Sequence, residues 1–149
     1  MTPDVNVLVA AFRSDHSCHE SAAEWLGQAR LDCARGSRSF ALLPMVIAGF
    51  LRIVTNGRVF VEPDTIDDAI AFVDALLASE GVEIVGPSEE WPLFRYKLLT
   101  LGLGGNLVAD AWIAASVQAV SEHLVTFDRD FLRLLPAKDV THLQLDAGK

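Results

Sequence analysis

The sequence predicts an α/β fold: a short central parallel sheet flanked by helices, in one domain. Three observations carry this reading. Short apolar runs such as "RSFALLP" (38–44), "VEIVG" (82–86) and "HLVTF" (123–127) alternate with longer segments whose apolar residues recur at helical spacing. Turn signals (Pro63-Asp64, Asn56-Gly57, Gly104-Gly105) mark the junctions. No repeat, low-complexity stretch or linker divides the 149 residues, a length that suits a single hydrophobic core.

Each element has its own signal. "DVNVLVAAF" (4–12) alternates at Val5, Val7 and Val9 as a strand would, but Leu8, Ala10 and Ala11 fill the other face, so a buried helix fits equally. "SCHESAAEWLGQAR" (17–30) begins with Ser17 and has Glu20 three residues on, which reads as a capping box opening a helix. "RSFALLP" is an extended run ended by Pro44, and "MVIAGFLRIVTNGRVF" (45–60) is a helix stopped at Asn56-Gly57. "PDTIDDAIAFVDALLAS" (63–79) starts at a Pro-Asp pair and places Ile66, Ala69, Ile70, Val73, Leu76 and Leu77 on one helical face. "VEIVG" is a short strand. "SEEWPLFRYKLLTLG" (88–102) is a helix capped by Ser88, with Pro92 still in the first turn, where its missing N–H costs least. A glycine loop, "GLGGN" (102–106), leads into the helix "LVADAWIAASVQAV" (107–120). "HLVTF" is a strand, "DRDFLRLL" (128–135) a turn and short helix, and "VTHLQL" (140–145) a last strand.

Apolar residues make up 51% and charged residues 21%, the balance of a globular chain. Asp4 interrupts the N-terminus and the longest apolar helical segment, around 107–120, contains Asp110 and is too short for a bilayer, so a cytoplasmic protein without a membrane span is expected. Two cysteines, Cys18 and Cys33, do not make a disulfide scaffold, and with His16 and His19 they match no structural-zinc spacing. Trp25, Trp91 and Trp112 stand at core spacing in helices and read as packing residues. A net charge of −8 speaks against nucleic-acid binding, yet Arg30, Arg35, Arg38, Arg52 and Arg58 share the stretch to Val61 with one acid, Asp32. That stretch is either a phosphate-binding face or a solvated one balancing acidic helices.

Acids that interrupt apolar context are the candidates for chemistry. Asp4 precedes the first apolar run. Asp110 sits in a helix otherwise built of Leu, Val, Ala, Trp and Ile. Asp128 ends a strand and Asp130 follows two residues later. Such carboxylates are paired, exposed in a cleft, bound to a metal, or else serve as separate turn and helix caps. If they converge, their repulsion raises at least one pKa, and a hard cation held by oxygen ligands relieves it.

"DVN" (4–6), "NLVADAWIAA" (106–115) and "VTFDRDF" (125–131), in this order, resemble the PIN-domain nucleases, and specifically the VapC-like toxins of VapBC toxin–antitoxin pairs. "HSCHESAAEWL" (16–26) and "GFLRIVTNGRVF" (49–60) are similar to further segments of that family, so the likeness runs over nearly the whole chain. The resemblance implies a PIN-like three-layer fold, with "DVNVLVAAF" a helix after a very short first strand. It implies an endoribonuclease that uses Mg2+, or Mn2+, with Asp4, Asp110 and Asp128 as metal-holding catalytic acids. It assigns supporting places to Asn6, which would hold Asp4 by a hydrogen bond, and to Thr126, which would orient the Asp128 side. Asp130 becomes an outer acid or the cap of the next short helix. A VapB-like antitoxin whose tail occludes the site, and a homodimer, are the implied partners. Arg38, Arg52 and Arg58 are the candidates for flanking RNA phosphates, from charge placement.

Two features depart from the family pattern. Most PIN domains carry a glutamate on the helix matching "MVIAGFLRI"; here the position is Gly49, and no acid lies between Asp32 and Glu62. That leaves three firm carboxylates and opens a second reading, a catalytically weak or inactive PIN-like module that binds RNA or protein. Pro3, directly before Asp4, cannot donate to a sheet ladder and would stunt the first strand. A haloacid-dehalogenase phosphatase needs Asp-x-Asp, and Asn6 cannot supply the proton that the second acid gives.

Overall fold

The computed structural model describes residues 1–86 and 89–144. It alternates strands and helices: β1 (Thr2–Pro3), α1 (Val5–Phe12), α2 (His19–Ala34), β2 (Phe40–Leu42), α3 (Pro44–Val54), α4 (Ile66–Leu77), β3 (Val82–Ile84), α5 (Glu90–Leu101), α6 (Leu107–Ala119), β4 (Leu124–Thr126), α7 (Phe131–Leu134) and, after a single 3-10 turn, β5 (Val140–His142). All pairings are parallel. One sheet has the order β1-β4-β5 and the other pairs β2 with β3. Every residue of β1, β2 and β4 is buried. Successive strand side chains point to opposite faces, so both faces are covered, which is the three-layer arrangement expected.

Pro3 explains why the five strands fall into two sheets. The Ala41 N–H donates to the Met1 carbonyl at 2.9 Å, which sets β2 against β1. In a parallel ladder the Ala41 carbonyl would next take the N–H of residue 3, and proline has none. The Thr2 hydroxyl, fully buried, donates to that carbonyl instead. On the other side β1 is intact: the N–H groups of Thr2 and Asp4 donate to the carbonyls of His123 and Val125, both at 2.8 Å. The first strand is two residues long for this reason, and it ends at Asp4.

The core is one large cluster that includes Leu8, Phe40, Leu42, Val46, Phe50, Val54, Val117, Leu124 and Phe131. The undecided "DVNVLVAAF" segment is a helix that buries Val7, Leu8, Val9 and Ala10. Its far end is pinned by Arg13, whose guanidinium pairs with Asp15 and Asp64 and lies 3.9 Å over the Phe60 ring. Gly102, at φ 61°, closes α5 in the left-handed conformation that glycine adopts without strain.

Several local expectations are corrected. The Ser17–Glu20 capping box does not open α2. Cys18 is the cap residue, it makes no side-chain capping bond, and its N–H donates to His16 Nδ1 at 3.1 Å. Pro44 begins α3 as well as ending the extended run, because a proline at N1 gives up an N–H that has no helical partner. Thr65, not the Pro-Asp pair, caps α4, accepting from the Asp68 N–H at 3.1 Å. The Ser88 cap lies outside the described residues; Glu89 occupies the cap position of α5. Of the three tryptophans only Trp25 packs into the core, 5.7 Å from Phe40. Trp91 is 62% exposed and Trp112 40% exposed. Both pack against the Phe94 ring, at 5.9 and 4.8 Å between centroids.

Candidate functional site

The site forms at the carboxyl edge of the sheet, where parallel strands hand over to helices and ligands settle in open α/β folds. Asp4 is the residue after β1 and the N-cap of α1, its Oδ1 accepting from the Val5 N–H at 2.7 Å. Asp128 is two residues past Thr126, the last residue of β4. Asp110 stands in the first turn of α6, where a helix end favours negative charge.

One hydroxyl organises the centre. Thr126 Oγ1 is buried and donates to Asp4 Oδ2 at 2.8 Å. It accepts from Asn6 Nδ2 at 3.1 Å and from the Asp128 N–H at 2.9 Å. Asn6 Oδ1 in turn accepts from the Phe127 N–H at 3.3 Å. Thr126 therefore fixes both the Asp4 carboxylate and the backbone of the Asp128 turn. The expectation that Asn6 holds Asp4 directly is corrected: Asn6 reaches it only through the threonine. His142, at the end of β5, shares a 2.8 Å hydrogen bond with the Phe127 carbonyl and braces the same turn.

Asp130 occupies the cap position of α7 but makes no side-chain capping bond. The Asp128 Oδ1 accepts the Asp130 N–H at 2.8 Å, so Asp128 is a turn residue and a corner of the site at once.

The electrostatics show that the acids share one crevice. Asp4 is 5% exposed, and its carboxyl is pushed up from 3.8 to about 6. Burial is the main cause, the bonds from Thr126 and Val5 oppose it, and the charges of Asp110 and Asp128 add to it. Asp110 is also raised, first by burial and then by Asp128 and Asp130. Asp4 thus feels Asp110 and Asp128 across more than a hundred positions of sequence, and Asp110 feels Asp128 and Asp130.

Among the described residues, no three His, Cys, Asp or Glu side chains are drawn into a ready coordination shell. The donor set nevertheless fits a hard divalent ion. It offers carboxylate oxygens only, on an anionic edge where the carboxyls of Asp4 and Asp110 are raised first by burial and then by neighbouring acids. Mg2+ keeps most of its waters and takes one or two carboxylates, so it needs no closed cage.

Gly49 has a structural reason. A Cβ there would sit 2.8 Å from Val5 Cγ2, so α1 and α3 approach too closely for a side chain at that point. A side chain at this position, the fourth acid of the family pattern included, would have to displace Val5, the residue next to Asp4.

The three arginines are not gathered with the acids. Arg38 precedes β2 and lies at the amino edge of the sheet, opposite the crevice. Arg52 is exposed in the last turn of α3, near one turn past Gly49, and Arg58 is exposed in the connection that follows. Charge clustering in sequence does not say which edge of a parallel sheet a residue reaches. Arg129 is exposed between Asp128 and Asp130, adjacent in sequence to two of the acids, and its place inside "DRD" is the signal that sets it apart from the other arginines. Cys18 and Cys33 are buried and unpaired, and His19 Nδ1 bonds the Ala10 carbonyl at 2.9 Å, as ordinary structural residues do.

Strand-end aspartates on a short parallel sheet, with a further acid in the first turn of a helix, define a class of α/β fold with an acidic site at the carboxyl edge. The PIN domain family model matches residues 1–134. The chain is 38% identical over 134 residues to VapC ribonuclease Mb2897 of Mycobacterium bovis, covering 87% of this chain and 86% of that protein. It is 36% identical over 140 residues to ribonuclease VapC25 of Mycobacterium tuberculosis, covering 92% and 94%. In fold it is similar to a chain of the VapBC2 structure from Rickettsia felis, solved bound to a DNA fragment from their promoter. The TM-score is 0.66 at 20% identity, over 96% of this chain and 98% of that one. The chain belongs to the PIN-domain family.

Proposed function

We propose that this protein is a divalent-metal-dependent endoribonuclease, the toxin of a toxin–antitoxin pair. The observation that carries the reading is the convergence of Asp4, Asp110 and Asp128 at one strand edge, with the buried Asp4 carboxyl pushed up to about 6. The VapC ribonuclease relatives, aligned over most of both chains, support the substrate and the biological setting. Asp4, Asp110 and Asp128 would hold the ion. When bound, Mg2+ or Mn2+ lowers the pKa of a coordinated water and offsets charge on a scissile phosphate. Thr126 keeps the Asp4 carboxylate aimed at the crevice by its 2.8 Å bond. The Asp128 turn is held by the Thr126 hydroxyl and by His142 on Phe127. Asp130 adds negative charge at the rim, and the exposed Arg129 beside it meets an incoming phosphate. RNA is cut where its backbone is unpaired and reachable.

The partner is a small VapB-like antitoxin, a reading supported by the likeness to the VapBC2 assembly, and the toxin forms a homodimer or a hetero-oligomer with that antitoxin. Among the described residues no helix is long and apolar enough to cross a membrane.

Cleavage of an unstructured RNA with Mg2+ or Mn2+, abolished by EDTA and by Asp128→Asn, is the expected result. Cleavage that persists in EDTA would overturn the metal mechanism. Absence of cleavage, with no Mg2+ or Mn2+ binding heat that depends on Asp4 and Asp128, would favour the inactive binding module.

A further inference from the structure

A cavity of about 290 Å³ opens past the ends of β2 and β3, walled by Leu43, Met45, Val85, Trp112 and Ser116, with Glu90 at its lining. We infer that it is a subsite for one unpaired nucleobase of the RNA, next to the phosphate that is cut. The inference rests on the ribonuclease reading and names what that site grips.

Position comes first. Leu43 follows directly on β2, Met45 stands in the first turn of α3 and Val85 follows directly on β3, so this wall of the cavity lies on the same carboxyl edge as Asp4 and Asp128, while Ser116 and Val120 extend it along α6. β2 is set against β1 through Ala41 and Met1, which places the cavity about one or two strand spacings, roughly 5–10 Å, from the end of β1. α6 carries Asp110 in its first turn, on the face toward the crevice, and Trp112 and Ser116 on another face, in the cavity wall. A backbone laid across the aspartates and over the end of α6 brings a neighbouring base to this opening.

Shape and chemistry agree. The volume is at the small end for ligand pockets, enough for a flat ring and too little for a helix of partner protein. Trp112 is 40% exposed, an unusual cost for an indole in a free protein, and its ring is braced 4.8 Å from Phe94. A braced aromatic face with apolar walls is what stacks a splayed base. Among the described residues, the polar side chains lining the cavity are Ser116, its hydroxyl 3.9 Å from the Met45 sulfur, and Glu90.

The test uses the full-length protein, a single-stranded RNA oligonucleotide that it cleaves, and the same oligonucleotide made abasic at each position flanking the cut. In the wild type, one flanking abasic position should raise KM about tenfold, the size of one lost stack, with kcat within about twofold. Trp112→Ala should raise KM for the intact RNA by a similar factor and should erase the difference between intact and abasic RNA. Trp112→Phe, which keeps the contact with Phe94, should fall between and guards against loss of folding, checked by an unchanged urea midpoint. Equal KM for intact and abasic RNA in the wild type would overturn the subsite. So would a Trp112→Ala variant that cuts normally but no longer binds the antitoxin, since the cavity would then belong to a protein contact. Binding of both oligonucleotides in EDTA, followed by fluorescence anisotropy, reads the same difference without turnover. A preference for the intact base there, with no cleavage in Mg2+, would sink the nuclease reading and keep the subsite.

Discussion

Asp4→Asn should make the metal-free protein more stable at neutral pH. Below pH 3.8 the carboxyl is protonated in both folded and unfolded chains, and it costs nothing. Between 3.8 and about 6 only the unfolded chain has released the proton, so stability falls as pH rises. Above about 6 both are ionised and the full penalty stands. A displacement of roughly two pKa units corresponds to about 3 kcal/mol at pH 7. Asparagine removes that charge but keeps only one acceptor. One of the bonds from the Val5 N–H and the Thr126 hydroxyl is lost, at about 1 kcal/mol. The net gain is about 2 kcal/mol, a rise of about 1 M in urea midpoint for a chain of this size. Near pH 3.5 the charge term vanishes and the substitution should cost about 1 kcal/mol, so its effect changes sign. Saturating Mg2+ should stabilise the wild type and leave the variant nearly unmoved. Urea melts at about pH 3.5 and 7, with and without Mg2+, check all of this. If the variant is no more stable than the wild type at pH 7, Asp4 carries no uncompensated charge, and the account of the crevice fails.

Two further outcomes follow from packing. Thr2→Val should cost about 1–3 kcal/mol in a urea melt, because it leaves the buried Ala41 carbonyl without the donor that Pro3 cannot supply; Thr2→Ser should recover most of that. Gly49→Ala should destabilise by about 1–2 kcal/mol despite alanine's better helix propensity, since its methyl meets Val5 at 2.8 Å, and in a double-mutant cycle Val5→Ala should relieve it. Additive effects of those two changes would show that α1 and α3 are not in tight contact there.

The strand and helix order was legible because each element announces itself locally, by periodicity and by the Gly, Pro and Asn that end it. The acids were legible for a related reason: a carboxylate is costly in apolar surroundings, so Asp4, Asp110 and Asp128 stood out against their neighbours. Their fourth-acid gap at Gly49 was visible too, but its cause was not, since the clash with Val5 exists only after two helices meet. The same limit hid the roles of Asn6 and Thr126. Both lie within bonding reach of the other's segment, and sequence spacing does not say which of them touches Asp4. Trp91 and Trp112 were misread because helical spacing identifies a face without saying what covers it. The arginines failed similarly: Arg38 is near the acids in charge pattern and at the far edge in space.

The site's parts differ in rigidity, and that difference bears on how it works. Asp4 and Thr126 are buried at the ends of strands, each held by backbone on both sides. Asp110 rides on a helix, half-buried, and Asp128 sits in a turn, its Oδ1 occupied by the Asp130 N–H. Four acids locked at ligand distance without a cation would repel strongly, and Asp4 already carries a burial cost to which Asp110 and Asp128 add. Leaving Asp128 on a turn lets the charges stand apart until a cation offsets them. The turn cannot wander, because the Thr126 hydroxyl that aims Asp4 also holds the Asp128 N–H at 2.9 Å. A single buried hydroxyl therefore couples the fixed acid to the adjustable one. Thr126→Val removes the donor to Asp4 and the acceptor for Asp128 together, so it should weaken metal binding more than Asn6→Ala, which takes away only one of the bonds that steady the threonine. Calorimetric titration with Mn2+ would show the order, and equal affinities for the two variants would mean that the hydroxyl is not the coupling point.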